Sequence, residues 1–416
     1  MGSPQLCWKD SCARTEVRVL IDINNIQSEH MCSDFFVIFN SVILIVFSMR
    51  IETEVELDYS DVLIKPRRST IASRRDADIT REYKFRWSGR TVKGTGIMQA
   101  NMGTIGNFEV SRKMLNSGLF ACLHKHHNVE DLVEFYRTLN DKDETYLRCL
   151  LAVGLKDNGV EKVREIKRQL GITVSVRLDV PNGYIPQIKD LVVSLRHEFP
   201  DMIIFVGNVV TGDITEDLIL SGADVVVVGI GGGAQCLTRR QTGVGRPQLT
   251  AVIECADAAH QVGGMICGDG GITCPGDIGK AFGAGADFVM IGSLYAGTDE
   301  AEGEIVEKYY KTGEVTADHA PIYICKKFKE FYGMSSTLAQ EKFGNGKPSY
   351  RASEGRVTLV PYVGSVDDVN EEFLGGLRST MTYLGAKRLK DIPKCCVFYR
   401  VQHQLNTTYE NTTIGK

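Results

Sequence analysis

The chain is 416 residues long, 43% apolar and 24% charged, with a formal net charge of −4. That length and apolar content suit a large core, built as one big domain or two ordinary ones. The slightly acidic balance gives no electrostatic reason for nucleic acid or a membrane as partner. Twelve cysteines are too sparse for a disulfide scaffold, and none stands in the C-x-x-C spacing of a zinc site. Reduced thiols in a cytoplasmic protein are the expectation.

The first 48 residues stand apart. Phe35 to Phe47 is an apolar run flanked by Asp34 and Arg50, short of the ~20 residues that cross a bilayer. It also begins too far in, and lacks the small-residue cleavage site, for a secretory signal. Residues 1–48 read as a disordered or non-native extension, with Met49 opening a stretch that resembles a conventional amino terminus. The sequons at Asn406 and Asn411 in the 403–416 tail matter only if the chain is secreted.

From about residue 95, short apolar runs alternate with longer amphipathic ones. The apolar runs are Gly96–Ala100, Leu119–Leu123, Cys149–Val153, Thr173–Val180, Met202–Val206, Asp224–Ile230, Met265–Cys267 and Asp287–Ile291. Helical patterns lie between them, at Asn107–Asn116, Val129–Leu139, Gly159–Leu170, Ile185–His197, Thr215–Leu220, Gln248–Val262 and Gly276–Phe282. Many open on Asn, Asp or Thr caps. Eight such units over roughly 200 residues predict an α/β fold of the (β/α)8 TIM-barrel type. A doubly wound sheet stays open, because periodicity does not show closure.

In a barrel, the residues just past each strand share one face. Here they are Asn101 and Met102, His124 to His127, Asp179 with Asn182 and Gly183, Gly207-Asn208, Gly231 to Cys236, Asp269-Gly270-Gly271, and Gly292-Ser293. Cys236 sits on a glycine-rich loop beside Thr238 and Arg239, where a nucleophile would stand. Three consecutive glycine-bearing loops suit a phosphate monoester, offering backbone N–H donors and little bulk. The other cysteines, such as Cys122, Cys149 and Cys267, fall inside apolar runs and read as core.

The chain resembles the GMP reductase family, within the superfamily that also holds IMP dehydrogenase, from about residue 49 to 402. Matching stretches include Asp61–Ser69, Gly207–Gly212, Thr242–Leu249, Tyr332–Ser336, Tyr350–Gly355 and Gly375–Ser379. His126 and Asp179 are 53 positions apart, which leaves no room for the regulatory domains that the dehydrogenase usually inserts. The segment Tyr350–Gly355 lacks the dehydrogenase's water-activating Arg-Tyr pair.

The resemblance implies NADPH-dependent reductive deamination of GMP to IMP through a covalent Cys236 adduct. Thr238 and Glu354 would relay protons, and Lys125 would act electrostatically near purine and cofactor. Asp179 would hold ribose hydroxyls, and Asp269, Gly270, Gly271, Gly292 and Ser293 the phosphate. Met334, Ser335, Arg351 and Ser353 would contact the guanine edge or phosphate. Lys125, Asp179, Ser335 and Ser336 would face the cofactor. Carbonyls of Gly231, Gly233 and Cys236 would hold K⁺. A mobile flap at about 325–360 and a homotetramer complete the family picture. Asp179 also suits capping the next turn, and Arg351 a solvated loop charge.

Departures cluster near the chemistry. Gly232 stands where the family has proline, Ala234 where it has serine, Leu237 where it has threonine, Gly103 where it has aspartate and His127 where it usually has tyrosine. Ala234 lacks a hydroxyl expected on the phosphate. Two alternatives therefore stand beside an active reductase. One is a catalytically weakened or silent nucleotide-binding relative; the other is an IMP dehydrogenase-type enzyme using NAD. No G-x-G-x-x-G fingerprint is present to tell NADPH from NADH.

Overall fold

The computed structural model describes residues 51–141, 144–155, 157–343 and 353–402 in full, and the backbone of 16–21, 36–39 and 42–48. Arg351 and the tail with its sequons lie outside the described residues. The chain divides into two compact units, Met1–Val55 and Glu56–Lys416. In the first, where the sequence suggests a disordered extension, strands Glu16–Ile21, Phe36–Phe39 and Val42–Ser48 form an antiparallel sheet. The β-branched residues of the apolar run, among them Val37, Ile38, Val42, Ile43 and Ile45, favour strand. Among the described residues no helix is long and apolar enough to cross a membrane.

The second unit is built on eight parallel strands: β1 (Ile97–Gln99), β2 (Ala121–Leu123), β3 (Cys149–Val153), β4 (Ser175–Asp179), β5 (Ile204–Val209), β6 (Val225–Val228), β7 (Met265–Asp269) and β8 (Phe288–Ile291). From β2 onward each pairs with the next in sequence, and β8 pairs back onto β1. A bridge from Met98 to Phe120 closes the ring between β1 and β2. That closure excludes the doubly wound sheet. The four valines of β6 are wholly buried, as parallel strands covered on both faces require.

The outer helices are α1 (Phe108–Asn116), α2 (Val129–Leu139), α3 (Gly159–Leu170), α4 (Pro186–Glu198), α5 (Gly212–Leu220), α6 (Gln248–Gln261) and α7 (Pro275–Gly283). Asn107 and Asn128 cap the first two through their side chains. The hairpin of Arg81–Lys84 and Thr91–Gly94 closes the amino-terminal end; Tyr83 stacks on Phe288 at 4.3 Å between ring centroids.

Beyond β8 the chain leaves the barrel. Strands β9 (Ile305–Val315), β10 (Pro321–Tyr332) and β11 (Val357–Pro361) form an antiparallel sheet, with helix α8 (Thr337–Phe343) before the last. This flap starts near residue 305, earlier than the expected 325, because its outer ribbon is exposed on both faces and has no inward alternation to mark it. Buried Lys329 pins its base, its ammonium donating to the carbonyls of Thr298, Asp299 and Ala301. The chain then returns as α9 (Val366–Leu384), which packs beside α7 and α1 and completes the outer layer. The sequence reading places no helix there.

Candidate active site

The β6 loop is shaped by Gly229. At φ +150° its position has no room for a side chain, since a Cβ would lie 2.0 Å from the Asp269 carbonyl. The loop can therefore turn hard against the end of β7. It delivers Cys236, half-buried, with Sγ 3.2 Å from Thr238 Oγ1. Thr238 Oγ1 in turn donates to Glu354 Oε2 at 2.7 Å. Thiol, hydroxyl and carboxylate thus form a continuous chain along which a proton can move.

Glu354 is held there by strand-like pairing between flap and loop. Leu237 N–H donates to the Glu354 carbonyl at 2.7 Å, and Arg356 N–H to the Gln235 carbonyl at 3.2 Å. Cys236 stands opposite Gly355. Arg356 Nε adds a bond to the Ala234 carbonyl at 2.9 Å, and Gln235 Nε2 one to Thr358 Oγ1 at 2.6 Å.

These groups open on a cavity of about 470 Å³ at the carboxyl ends of the strands, with Lys125, Asp179, Asp269, Ser293, Met334 and Ser335 also in its wall. Among the described residues the N–H groups of Gly233, Ala234, Gly270, Gly292 and Ser293 have no acceptor within the protein. Five unused donors on three adjoining loops are available to an anion. Gly271 is different: its N–H is spent on the Gly232 carbonyl at 3.0 Å.

Asp269 also departs from expectation. Its carboxylate points into the barrel, accepting from Asn208 Nδ2 at 2.8 Å and standing 3.5 Å from Arg177 Nη2. A carboxylate repels phosphate, so its place is with Asp179 at the cavity floor. Arg177, buried, pairs with Asp179, whose other oxygen accepts from Asn101 Nδ2 at 3.0 Å. Burial works to raise the Asp179 pKa, but Arg177 outweighs it and holds the group below the ordinary value. Burial pushes Asp269 above its ordinary value, with Arg177 opposing. Sequence reading missed Arg177, although a lone cation inside the Thr173–Val180 apolar run was the available signal.

The other end of the cavity is lined by Met102, His126, Ala339, Gln340 and Phe343. His126 stacks on Phe343 of α8 at 4.3 Å, and His124 on His127 at 3.8 Å. Burial lowers the pKa of His124 to about 3, of His126 to about 4, and that of His127 as well. All three are neutral rings at neutral pH. Lys125 Nζ is 3.9 Å from Asp157 Oδ2. Met334 accepts the Gly103 N–H on its sulfur at 3.0 Å.

Two expected contacts fall elsewhere. Ser336 is buried behind the wall, its hydroxyl accepting the Ala339 N–H at 3.2 Å. The Ser353 hydroxyl is engaged inside the flap, on the carbonyls of Ser335 and Gly355. Flap packing has claimed both hydroxyls. Of the proposed cation ligands, the Gly233 carbonyl accepts the Cys236 N–H at 3.0 Å, whereas those of Gly231 and Cys236 accept no bond among the described residues. Among the described residues no cluster of three or more His, Cys, Asp or Glu could hold a metal ion.

The family model for the IMP dehydrogenase / GMP reductase domain matches residues 56–407. The chain belongs to the IMP dehydrogenase / GMP reductase family. Members of this family similar to it include the GMP reductases of Vibrio parahaemolyticus, 44% identical over 88% of this chain and 99% of the relative, and of Vibrio atlanticus, 45% identical over 88% and 100%. That of Aliivibrio salmonicida is 44% identical over 87% and 99%. The matched region spans the barrel, its flap and the closing helix α9.

Proposed function

We propose that this chain catalyses the NADPH-dependent reductive deamination of GMP to IMP and ammonia. The observation that carries the reading is the Cys236–Thr238–Glu354 chain set beside five unused backbone donors. The substrate phosphate takes the N–H groups of Gly233, Ala234, Gly270, Gly292 and Ser293, which brings the purine over Cys236. Asp179 and Asp269 accept from ribose hydroxyls. The Met334–Ser335 segment, where the flap crosses the cavity, meets the guanine edge.

The Cys236 thiol passes its proton through Thr238 toward Glu354, and the sulfur adds to purine C2. The same pair returns a proton to the amino nitrogen, the C2–N bond breaks, and ammonia leaves a thioimidate on Cys236. NADPH, when bound, supplies the hydride that C2 gains before the C2–S bond breaks and its electron pair returns to sulfur. The flat, largely apolar end of the cavity at His126, Met102 and Phe343 fits a nicotinamide ring, with Lys125, Asp179 and Ser335 as its polar contacts. The free Gly231 and Cys236 carbonyls suit K⁺, which is bound by carbonyl oxygens. The family likeness supports a homotetramer in the cytoplasm, which sedimentation of the purified chain checks.

Incubation with GMP and NADPH, following nicotinamide absorbance and IMP, tests the reading. Turnover is expected, and Cys236→Ala is expected to abolish it while GMP still binds. Binding without turnover in the unmodified protein would support a silent nucleotide-binding relative instead.

A further inference from the structure

Arg177 lies in the middle of β4 and, at the two-residue period of a strand, on the same barrel-inward face as Asp179. A guanidinium there is costly unless fully paired. Its two terminal nitrogens are paired, Nη1 with Asp179, and Nη2 with the Asn208 side-chain oxygen at 2.9 Å and with Asp269 at 3.5 Å, while Nε is buried without a hydrogen-bond partner among the described residues. Asn208 closes the ring by donating to Asp269 Oδ2 at 2.8 Å. The guanidinium's side chain is 3% exposed, while those of Asp179 and Asp269 are 28% and 24% exposed on the cavity side. Arg177 therefore acts through the carboxylates. Asp269 Oδ1 is left without a hydrogen bond among the described residues.

We propose that Arg177 is a positioning residue for ribose recognition: it ties two carboxylates from β4 and β7 into one rigid, singly negative acceptor pair facing the sugar's vicinal hydroxyls. The inference rests on the GMP reading above. Without the cation, two buried carboxylates would share one floor, and mutual repulsion would protonate or splay one of them. Either outcome removes an acceptor from a hydroxyl. The other titratable groups facing this cluster are Cys122 from β2 and Cys267 from β7, both held as thiols by burial, and Lys125 at the rim. None of them can replace the bidentate fork, which fixes direction as well as charge.

The test compares binding of GMP and 2′-deoxyGMP by calorimetry in the wild-type protein and in Arg177→Lys, which keeps the charge and loses the fork. The wild type is expected to favour GMP by about tenfold or more, the worth of a charge-assisted hydrogen bond. Arg177→Lys is expected to reduce that preference to under about threefold. A merely structural arginine would weaken both ligands alike. Equal wild-type affinity for the two ligands, or an undiminished preference in the variant, overturns the proposal. Should Arg177→Lys fail to fold, Arg177→Gln, which leaves both carboxylates in place and loses the charge and the fork, replaces it under the same criterion. If the wild type binds GMP but does not reduce it with NADPH, the proposed reaction falls while the hydroxyl preference still decides this point. If it binds no GMP, both fall.

Discussion

Gly103 offers a sharp test of whether the flap must seat for chemistry to occur. A Cβ there would lie 2.8 Å from Tyr332 Oη and 2.9 and 3.2 Å from two Phe343 ring carbons. Gly103 does not adopt a left-handed backbone, so Gly103→Ala strains no dihedral and its whole effect is steric, against the flap. Inserting a methyl into such a contact costs roughly 1–3 kcal/mol. The usual gain from restricting the unfolded chain, about 0.4–1 kcal/mol, is present whether the flap is seated or lifted and cancels from the seating equilibrium. That equilibrium should therefore shift by about five- to a hundredfold. Seating is what brings Glu354 to Thr238, so kcat/KM for GMP is expected to fall about tenfold, while the melting temperature of the barrel changes little. Steady-state kinetics, hydrogen exchange of the α8 amides and calorimetric melting check the three parts. A variant with kcat/KM within twofold of wild type and unchanged exchange in α8 would refute the reasoning.

Thr238→Val and Glu354→Gln each break the same proton path, so each is expected to lower kcat by about 10²–10⁴-fold, with the double variant little worse than either; additive losses in single-turnover assays would contradict a shared path. Burial, to which Phe343 of the flap contributes by stacking on His126, lowers the pKa values of His124, His126 and His127, with Lys125, Lys162 and Lys342 adding repulsion and Asp157, Glu302 and Asp131 opposing it. The seated state therefore binds fewer protons than the lifted one, and seating is full above about pH 6.5 and weakens as pH falls toward 4. Proteolysis of the flap should quicken from pH 7 to pH 5, and a flat rate would count against the histidine seat. Replacing K⁺ by Li⁺ is expected to depress turnover without lowering the melting temperature; equal rates in both salts would remove the cation from the account. Lys329→Met leaves three carbonyls at the flap base without their donor, at roughly 1–3 kcal/mol for such a loss, and should hasten cleavage within residues 305–332; unaltered cleavage would show that the ammonium does not pin the hairpin.

What could be read from the residues alone divides along a physical line. The barrel was legible because each β/α unit announces itself within a short window: β6 is four valines before a glycine turn, and α1 and α2 carry their own Asn caps. The Cys236 and Thr238 pair was legible for the same reason, lying two residues apart on one loop. Glu354 is 116 positions from Thr238, and only the family likeness connected them. The flap's first strand β9 was missed because it is exposed along nearly its whole length, so it shows no alternation to read. Arg177 was missed because, besides Asp179 on its own strand, its partners Asn208 and Asp269 come from β5 and β7, and no local pattern reveals a charge balance completed across a barrel. Gly103 and His127 looked like two unrelated departures from the family. In the structure they belong to one surface: Gly103 makes room for Phe343, which stacks on His126, while His127 stacks on His124 beside it and bonds the Gly106 carbonyl at 2.9 Å. Both changes act on how α8 sits, and neither touches the thiol, hydroxyl and carboxylate that move protons. The structure therefore separates the two kinds of departure. On the proposed reading, Gly232 and Ala234 in the β6 loop bear on how tightly phosphate is held, and the departures under α8 bear on how often the flap is closed when it is.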